Sequence, residues 1–197
     1  MGSEAPPAVR VVVAEDEAII RLDLTELLEE EGYTVVGETG RGDEAIELVR
    51  AQRPDLAILD IKMPGLDGLS AARVIAGERL AAVLMVTAFS QRDLVEQARD
   101  AGALAYLVKP FQKSDLVPAV ELAISRFAEL TALEREVEDL QARLEARKAT
   151  DRAKGRLMDE HGMSEQDSWR FLQQQAMTNR VRIDEIARRV VEGELTP

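Results

Sequence analysis

Five side chains with chemical potential each close a short apolar run. Glu15 and Asp16 follow "RVVVA", Asp60 ends "DLAILD", Thr87 ends "AAVLMVT" and Lys109 ends "LAYLVK". Carboxylates brought to one edge repel one another, and each resists ionisation unless a cation sits between them. Oxygen ligands in a partly open site suit Mg²⁺, which takes few protein carboxylates and completes its shell with water and phosphate oxygens. The set holds no His or Cys for zinc. Taken singly, each residue has a plainer reading: a strand-terminal Asp as a turn or cap, Thr87 as β-branched core, Lys109 as surface charge. Asp60 is followed by Lys62, by Pro64-Gly65 and by a second Asp-Gly at 67–68, which reads as a helix-starting turn.

The elements that must position these groups follow from the apolar patterning. Runs at 10–15, 33–38, 55–60, 81–87 and 104–109 read as buried strands, and the segments between them as helices, with Gly32 as the stop of the first. Such βα repetition implies an α/β fold with a five-stranded parallel sheet and helices on both faces, and right-handed crossovers make it doubly wound. In that fold ligands bind outside the carboxyl ends of the strands, near the switch point of strand order. That is where Glu15, Asp16, Asp60, Thr87 and Lys109 all fall; the second strand ends without such a group.

The last helix of this pattern continues past the expected domain end. Leu116, Val120, Ala123, Phe127, Leu130, Leu133, Val137, Leu140 and Leu144 recur at heptad spacing with one local stammer, and no Gly or Pro interrupts 119–154. A coiled coil is expected, a solvated single helix being the alternative; a short coiled coil is marginal in stability, so pairing there is weak and adjustable. Three shorter helical patterns follow at about 149–160, 164–176 and 181–192, with Ser164 and Asp167 resembling a cap and its acidic first turn.

The motifs "VVVAEDE", "LAILDIKMPGLDG", "MVTAFS" and "AYLVKPF" resemble, in order and spacing, the receiver domain of two-component response regulators over roughly 9–125. That resemblance implies a flavodoxin-like sheet of order 2-1-3-4-5. It implies Asp60 as the acceptor of a phosphoryl group from a sensor histidine kinase. It further implies Mg²⁺ held by Glu15, Asp16, Asp60 and the backbone carbonyl of Lys62. Thr87 and Lys109 become the groups that meet the phosphoryl, Thr87 and Tyr106 the switch pair, and the Lys109-Pro110 bond is expected cis. Glu15 stands where Asp is commoner, keeping the charge on a longer arm. The resemblance implies no enzyme beyond an autophosphatase activity intrinsic to such receivers. An aspartyl phosphatase would instead read Asp-x-Asp-x-Thr, and here Lys62 takes the second position.

The stretch "DRAKGRLMDEHGMSEQDSWRFLQQQAM" and the following "RVRIDEIARRVVE" are similar to the ANTAR domain of antiterminator response regulators, a three-helix module that binds RNA hairpins. The pattern is carried by Ala153-Lys154-Gly155, Leu157-Met158, His161 to Ser164, the aromatic at 169, Ala176-Met177 and Ile186-Ala187; Ser168 departs from the usual small apolar residue. The arrangement is then an N-terminal extension at 1–8, a receiver at 9–125, a long helix at 116–147 and an ANTAR domain at 148–195. The expected function is a phosphorylation-controlled regulator that binds RNA stem-loops, acts as a transcription antiterminator and forms a homodimer on phosphorylation. The alternative is a tail that mediates protein–protein interaction or dimerisation without RNA; a helix-turn-helix for duplex DNA lacks a clearly placed turn.

Charge supports the division. The chain carries a formal net charge of −12, yet 146–197 holds 10 basic against 9 acidic residues. Arg147, Lys148, Arg152, Lys154 and Arg156 form one basic stretch, and Arg180, Arg182, Arg188 and Arg189 another. These are the candidate RNA contacts, neutralising phosphates while unpaired loop bases supply specificity. Leu157, Met158, Trp169 and Phe171 read as core of the small domain rather than as stacking platforms. With no Cys, disulfides and thiolate metal sites are excluded. No apolar run reaches membrane-span length and no signal-peptide pattern is present, so a cytoplasmic location is expected.

Overall fold

In the structure, a computed structural model that describes residues 8–88 and 92–197 (Arg92 by its backbone alone), the five apolar runs are strands of one parallel sheet. The expected extension at 1–8 lies, but for Ala8, outside the described residues, as do Phe89 and Ser90 of the third motif. The strands are β1 (Arg10–Ala14), β2 (Thr34–Thr39), β3 (Leu56–Asp60), β4 (Ala82–Thr87) and β5 (Ala105–Val108), in the order β2-β1-β3-β4-β5. Between them run α1 (Ala18–Glu30), α2 (Gly42–Gln52), α3 (Gly68–Gly77) and α4 (Arg92–Asp100).

The inner strands are apolar throughout because both faces of the sheet are covered. Val12, Ala14, Ala57, Leu59, Val83 and Met85 face a core shared with Ala45, Val49, Leu69, Ile75 and Ala98 of α2, α3 and α4. Their neighbours Val11, Val13, Leu56, Ile58, Leu84 and Val86 face Leu24 and Leu28 of α1 and Leu116, Val120 and Ala123 of the last receiver helix. The period of two thus divides each strand between two helical layers. Register aligns Ala14 with Leu59, Asp60 with Val86 and Thr87 with Val108, which brings four strand ends to one edge.

Helix α3 closes beneath that edge. Asp67 caps it by accepting from Ser70 N at 2.8 Å, as the Asp-Gly turn suggested. Gly68 has a second role that spacing did not reveal: a Cβ there would lie 1.8 Å from the Asp60 carbonyl oxygen. Only a hydrogen at this position lets the helix start directly against the backbone of the key aspartate.

The long helix differs from its expected divisions. Helix α5 runs unbroken from Lys113 to His161, 49 residues, with Pro118 inside it, so the segment expected as a separate helix at 149–160 is its C-terminal end. No Gly or Pro signal breaks it at 148, and Gly155 is accommodated within it. Along it the heptad stripe changes surroundings: Leu116, Val120 and Ala123 are buried, whereas Leu130, Leu133, Val137, Leu140 and Leu144 are between 48% and 58% exposed.

The chain divides into two compact units, Met1–Thr131 and Ala132–Pro197. In the second, the end of α5 packs with α6 (Glu165–Asn179) and α7 (Ile183–Glu192) around Ala153, Leu157, Leu172, Ile186, Ala187 and Val190. Ser164 caps α6 by accepting from Asp167 N at 3.1 Å. Ser168 is fully buried, and its hydroxyl donates to Ser164 O at 2.9 Å, which removes the cost of a polar atom there. Among the described residues no helix is long and apolar enough to cross a membrane.

Gly155 makes a sharp contrast with Gly68, since a Cβ at Gly155 would meet nothing within 4 Å. Gly155→Ala is therefore expected to raise the stability of the second unit by about 0.5–1 kcal/mol, the helix-propensity difference. Gly68→Ala is expected to destabilise the first unit by about 3 kcal/mol, the upper range for overpacking. Urea unfolding followed by circular dichroism measures both, and a neutral Gly68→Ala would contradict the close approach.

Candidate functional site

At the carboxyl edge of the sheet Glu15, Asp60 and Thr87 are almost fully buried, at 1%, 6% and 1% exposure, while Asp16 is exposed. Lys109, one residue past β5, reaches between the first two. Its Nζ donates to Asp60 Oδ1 at 2.9 Å and lies 2.5 Å from Glu15 Oε2. The other Asp60 oxygen, Oδ2, accepts from the backbone N–H of Lys62 at 2.6 Å. The Lys109-Pro110 bond at this corner is cis, as expected.

Charges this deep shift one another's ionisation. Burial pushes the Glu15 carboxyl up from its ordinary value and the Asp60 charge adds to this, while the Lys109 ammonium works against both. For Lys109, burial favours the neutral amine, but hydrogen bonds and attraction from Glu15 and Asp60 outweigh it and raise its pKa. The ammonium therefore stays protonated where two carboxylates need it. Burial also raises the Tyr106 phenol, opposed by its hydrogen bond with Thr87 and reinforced by the Asp60 charge. The expected switch pair, Thr87 and Tyr106, is thus in direct contact, within the electrostatic reach of Asp60.

Several supporting groups were not legible as such. Thr39, at the end of β2, accepts from Glu15 N through its carbonyl at 3.0 Å. Its hydroxyl donates to Glu44 Oε2 at 2.6 Å and accepts from Arg41 N at 3.1 Å. Arg21 donates from α1 to the Glu15 carbonyl. These contacts fix the backbone of the acidic pair rather than its carboxylates, and a backbone carbonyl leaves no residue-type signal.

Glu15, Asp16 and Asp60 offer carboxylate oxygens that all lie within 4.8 Å of one another, so the cluster could hold a metal ion. The buried Glu15 Oε2 has no hydrogen-bond partner besides the Lys109 ammonium 2.5 Å away, so this oxygen already faces a cation. An all-oxygen donor set with an exposed member fits Mg²⁺.

The basic candidates of the second unit sort by their partners. Arg156 is a structural tie: it bonds Glu160 at 2.9 Å and donates to the Val190 and Val191 carbonyls, capping α7. Lys154 is held by Glu165 at 2.9 Å and Asp151 at 3.4 Å, and Lys148 by Glu145 at 2.8 Å. Arg182 and Arg188 share Asp184 at 2.9 and 3.3 Å, Arg189 lies 3.9 Å from Glu194, and Arg147 lies 4.0 Å from Asp151. Arg152 and Arg180 form no ion pair among the described residues, and Arg180 ends α6 with a positive φ of 56°. Exposed pairs such as these are worth about 0–1 kcal/mol, so most of these heads can exchange a carboxylate for another anion at little cost. The apolar candidates divide: Leu157 is core, Phe171 is half-buried against it, but Trp169 and Met158 are 39% and 41% exposed, which corrects their reading as core.

Comparison with known proteins agrees with both units. The family model of the response regulator receiver domain matches residues 11–121, and that of the ANTAR domain matches residues 138–191. The chain is 57% identical, over 95% of its length and 92% of the relative's, to the transcriptional regulatory protein PdtaR of Mycobacterium tuberculosis. Among solved structures, the receiver domain of the putative response regulator NarL from Mycobacterium tuberculosis is 34% identical. It aligns with a TM-score of 0.59 over 61% of this chain and 98% of that one. The CheX-CheY-BeF3-Mg+2 complex from Borrelia burgdorferi is 25% identical with a TM-score of 0.54, covering 57% of this chain and 86% of that one.

Removing the ammonium isolates the electrostatic claim. Lys109→Met is expected to cost about 3 kcal/mol near neutral pH, because two buried carboxylates lose their cation. Glu15 has a folded pKa above its unfolded one, so folding favours its protonated form. The stability tied to that proton is present below the unfolded value and lost as pH rises through the folded value. The penalty of Lys109→Met should therefore shrink as pH falls from neutral into the acid range and Glu15 takes up its proton. Urea unfolding of both proteins across this range reads the difference; a pH-independent penalty would contradict it.

Proposed function

Because this chain belongs to the response regulators that join a receiver domain to an ANTAR domain, we propose that it is a phosphorylation-controlled RNA-binding regulator acting as a transcription antiterminator. The observation that carries the first half is Asp60 itself, buried at the sheet edge with one oxygen on Lys109 and the other on the Lys62 N–H. The carboxylate is held in one orientation, and phosphoryl transfer asks mainly for positioning and charge neutralisation.

An Asp60 oxygen attacks the phosphorus of a phosphohistidine on a sensor kinase. The P–N bond breaks as the P–O bond forms, and the imidazole leaves with a proton. Glu15, Asp16, Asp60 and the Lys62 carbonyl would hold Mg²⁺, which when bound neutralises charge on the transferred oxygens. The CheX-CheY-BeF3-Mg+2 complex from Borrelia burgdorferi, similar to this chain in fold, contains Mg and so supports that metal. Lys109 then exchanges part of its bond to Asp60 for a phosphoryl oxygen, and Thr87 turns its hydroxyl from Tyr106 towards the same group. Released from Thr87, Tyr106 changes the receiver surface.

The second half rests on the ANTAR match, on the near-neutral charge of 146–197 in an acidic chain, and on the exposed stripe from Leu130 to Leu144. Two such stripes would bury one another in a weak coiled coil, so the phosphorylated protein is read as a homodimer that presents two RNA-binding units. Paired weak modules bind tandem stem-loops far more tightly than one. A cytoplasmic location, with neither membrane nor duplex DNA as a partner, follows from this role.

With a small phosphodonor and Mg²⁺, the wild-type chain is expected to shift towards dimer in sedimentation and to bind RNA stem-loops at least about tenfold more tightly. Asp60→Ala should show neither change. Its log affinity for RNA should still fall linearly with log salt, since the phosphate contacts lie in the other unit. A mutant that responds to the phosphodonor like the wild type would remove Asp60 from the switch, and RNA binding indifferent to salt would remove the basic tail.

A further inference from the structure

The second unit carries a groove of about 760 Å³ between the end of α5, the outer face of α6 and the start of α7. Trp169 and Met177 line it from α6, Arg147 and Lys154 from α5, Arg182 and Asp184 from the start of α7. Its volume falls in the range of ligand clefts, about 300–1,000 Å³. Trp169 is the only tryptophan of the chain, and both it and the 81%-exposed Met177 stand open to solvent although Leu157 and Leu172 below them are fully buried.

An exposed indole offers a flat, polarisable platform, and Met177 adds a thioether to the same groove. The cations at its margin reach outward: the Arg147 and Arg182 side chains are 83% and 79% exposed. Three cations and two carboxylates line the groove, a positive balance on a chain of net charge −12. A second copy of this chain would bring the same cations against themselves, and a purely apolar partner would leave them unused. A single nucleic-acid strand uses both features at once, with an aromatic face for a base and cations for the phosphates on either side.

On this basis, and resting on the RNA-binding reading above, we propose that the groove seats an unpaired RNA base stacked on Trp169, with Arg147 and Arg182 neutralising the flanking phosphates. Base–aromatic stacking is tolerant of sequence, so Trp169 supplies affinity for unpaired RNA over duplex rather than a choice of base. Duplex RNA keeps its bases stacked on each other and cannot enter.

The test uses the full chain and the emission of its single tryptophan. The probe is a single-stranded oligoadenylate of about twelve nucleotides, with an RNA duplex of equal length for comparison. Oligoadenylate is expected to quench Trp169 emission saturably and the duplex to leave it unchanged. Trp169→Ala should weaken oligoadenylate binding about tenfold, read by polarisation of a labelled probe, while Trp169→Phe, which keeps a ring and the fold, stays within about threefold. Oligoadenylate that binds the wild type without altering emission, and binds Trp169→Ala equally well, would overturn the groove while leaving RNA binding intact. Wild-type protein that binds neither probe at low salt would overturn both readings. An emission change that follows protein concentration without RNA would assign the groove to a second copy instead.

Discussion

Carboxylates packed at the carboxyl edge of a parallel sheet are tolerable only with a cation among them, and the receiver unit is organised around that requirement. Glu15 and Asp60 come from different strands and are both buried, and Lys109 from a third strand reaches the two of them. Removing one partner of such a group costs about 3–5 kcal/mol, a large share of a small domain's stability. The cluster therefore depends on the rest of the fold to keep its three groups together. On the function proposed above, a divalent cation and a phosphoryl group take over contacts that Lys109 now makes.

The fold meets the requirement by rigid backbone rather than by additional charges. Strands β1, β3 and β4 are anchored by apolar side chains on both faces, so the residues at their ends have little freedom to separate. Around them the supporting bonds go to main chain: Thr39 O to Glu15 N, Arg21 to Glu15 O, Lys62 N–H to Asp60 Oδ2. Gly68 lets α3 begin against the Asp60 carbonyl. The Lys62 N–H and the Lys109 ammonium between them orient the Asp60 carboxylate, while the side chains that could move, Thr87 and Tyr106, hold each other.

How much of this could be read from the chain follows from the same distinction. The sheet and the five charged or hydroxylic groups at four strand ends were legible because buried parallel strands are apolar runs and the exceptions stand at their tips; the strand order came only with the resemblance to receiver domains. The Lys62 N–H, the Thr39 carbonyl and the close approach at Gly68 were not, since main-chain contacts carry no residue-type signature. In the tail, helix existence was legible and helix division was not: residues around 148 contain no Gly, Pro or cap, so one helix runs from Lys113 to His161. Arg156 looked like its basic neighbours and instead caps α7, whereas Trp169 looked like core and instead faces a groove. Both misreadings arise where a three-helix unit is too small to enclose its large side chains, so composition alone does not say which of them are inside.

The proposed function rests first on phosphoryl transfer to the buried aspartate at the end of β3. An acyl phosphate is reduced by borohydride to an alcohol, which turns the modified aspartate into homoserine and fixes its position in the chain. Peptide mass spectrometry of the full chain, treated with a small phosphodonor and Mg²⁺ and then reduced, reads that position directly. Phosphoryl transfer to Asp60 gives homoserine at residue 60 alone; homoserine at residue 16, or at no residue, would remove Asp60 as the acceptor.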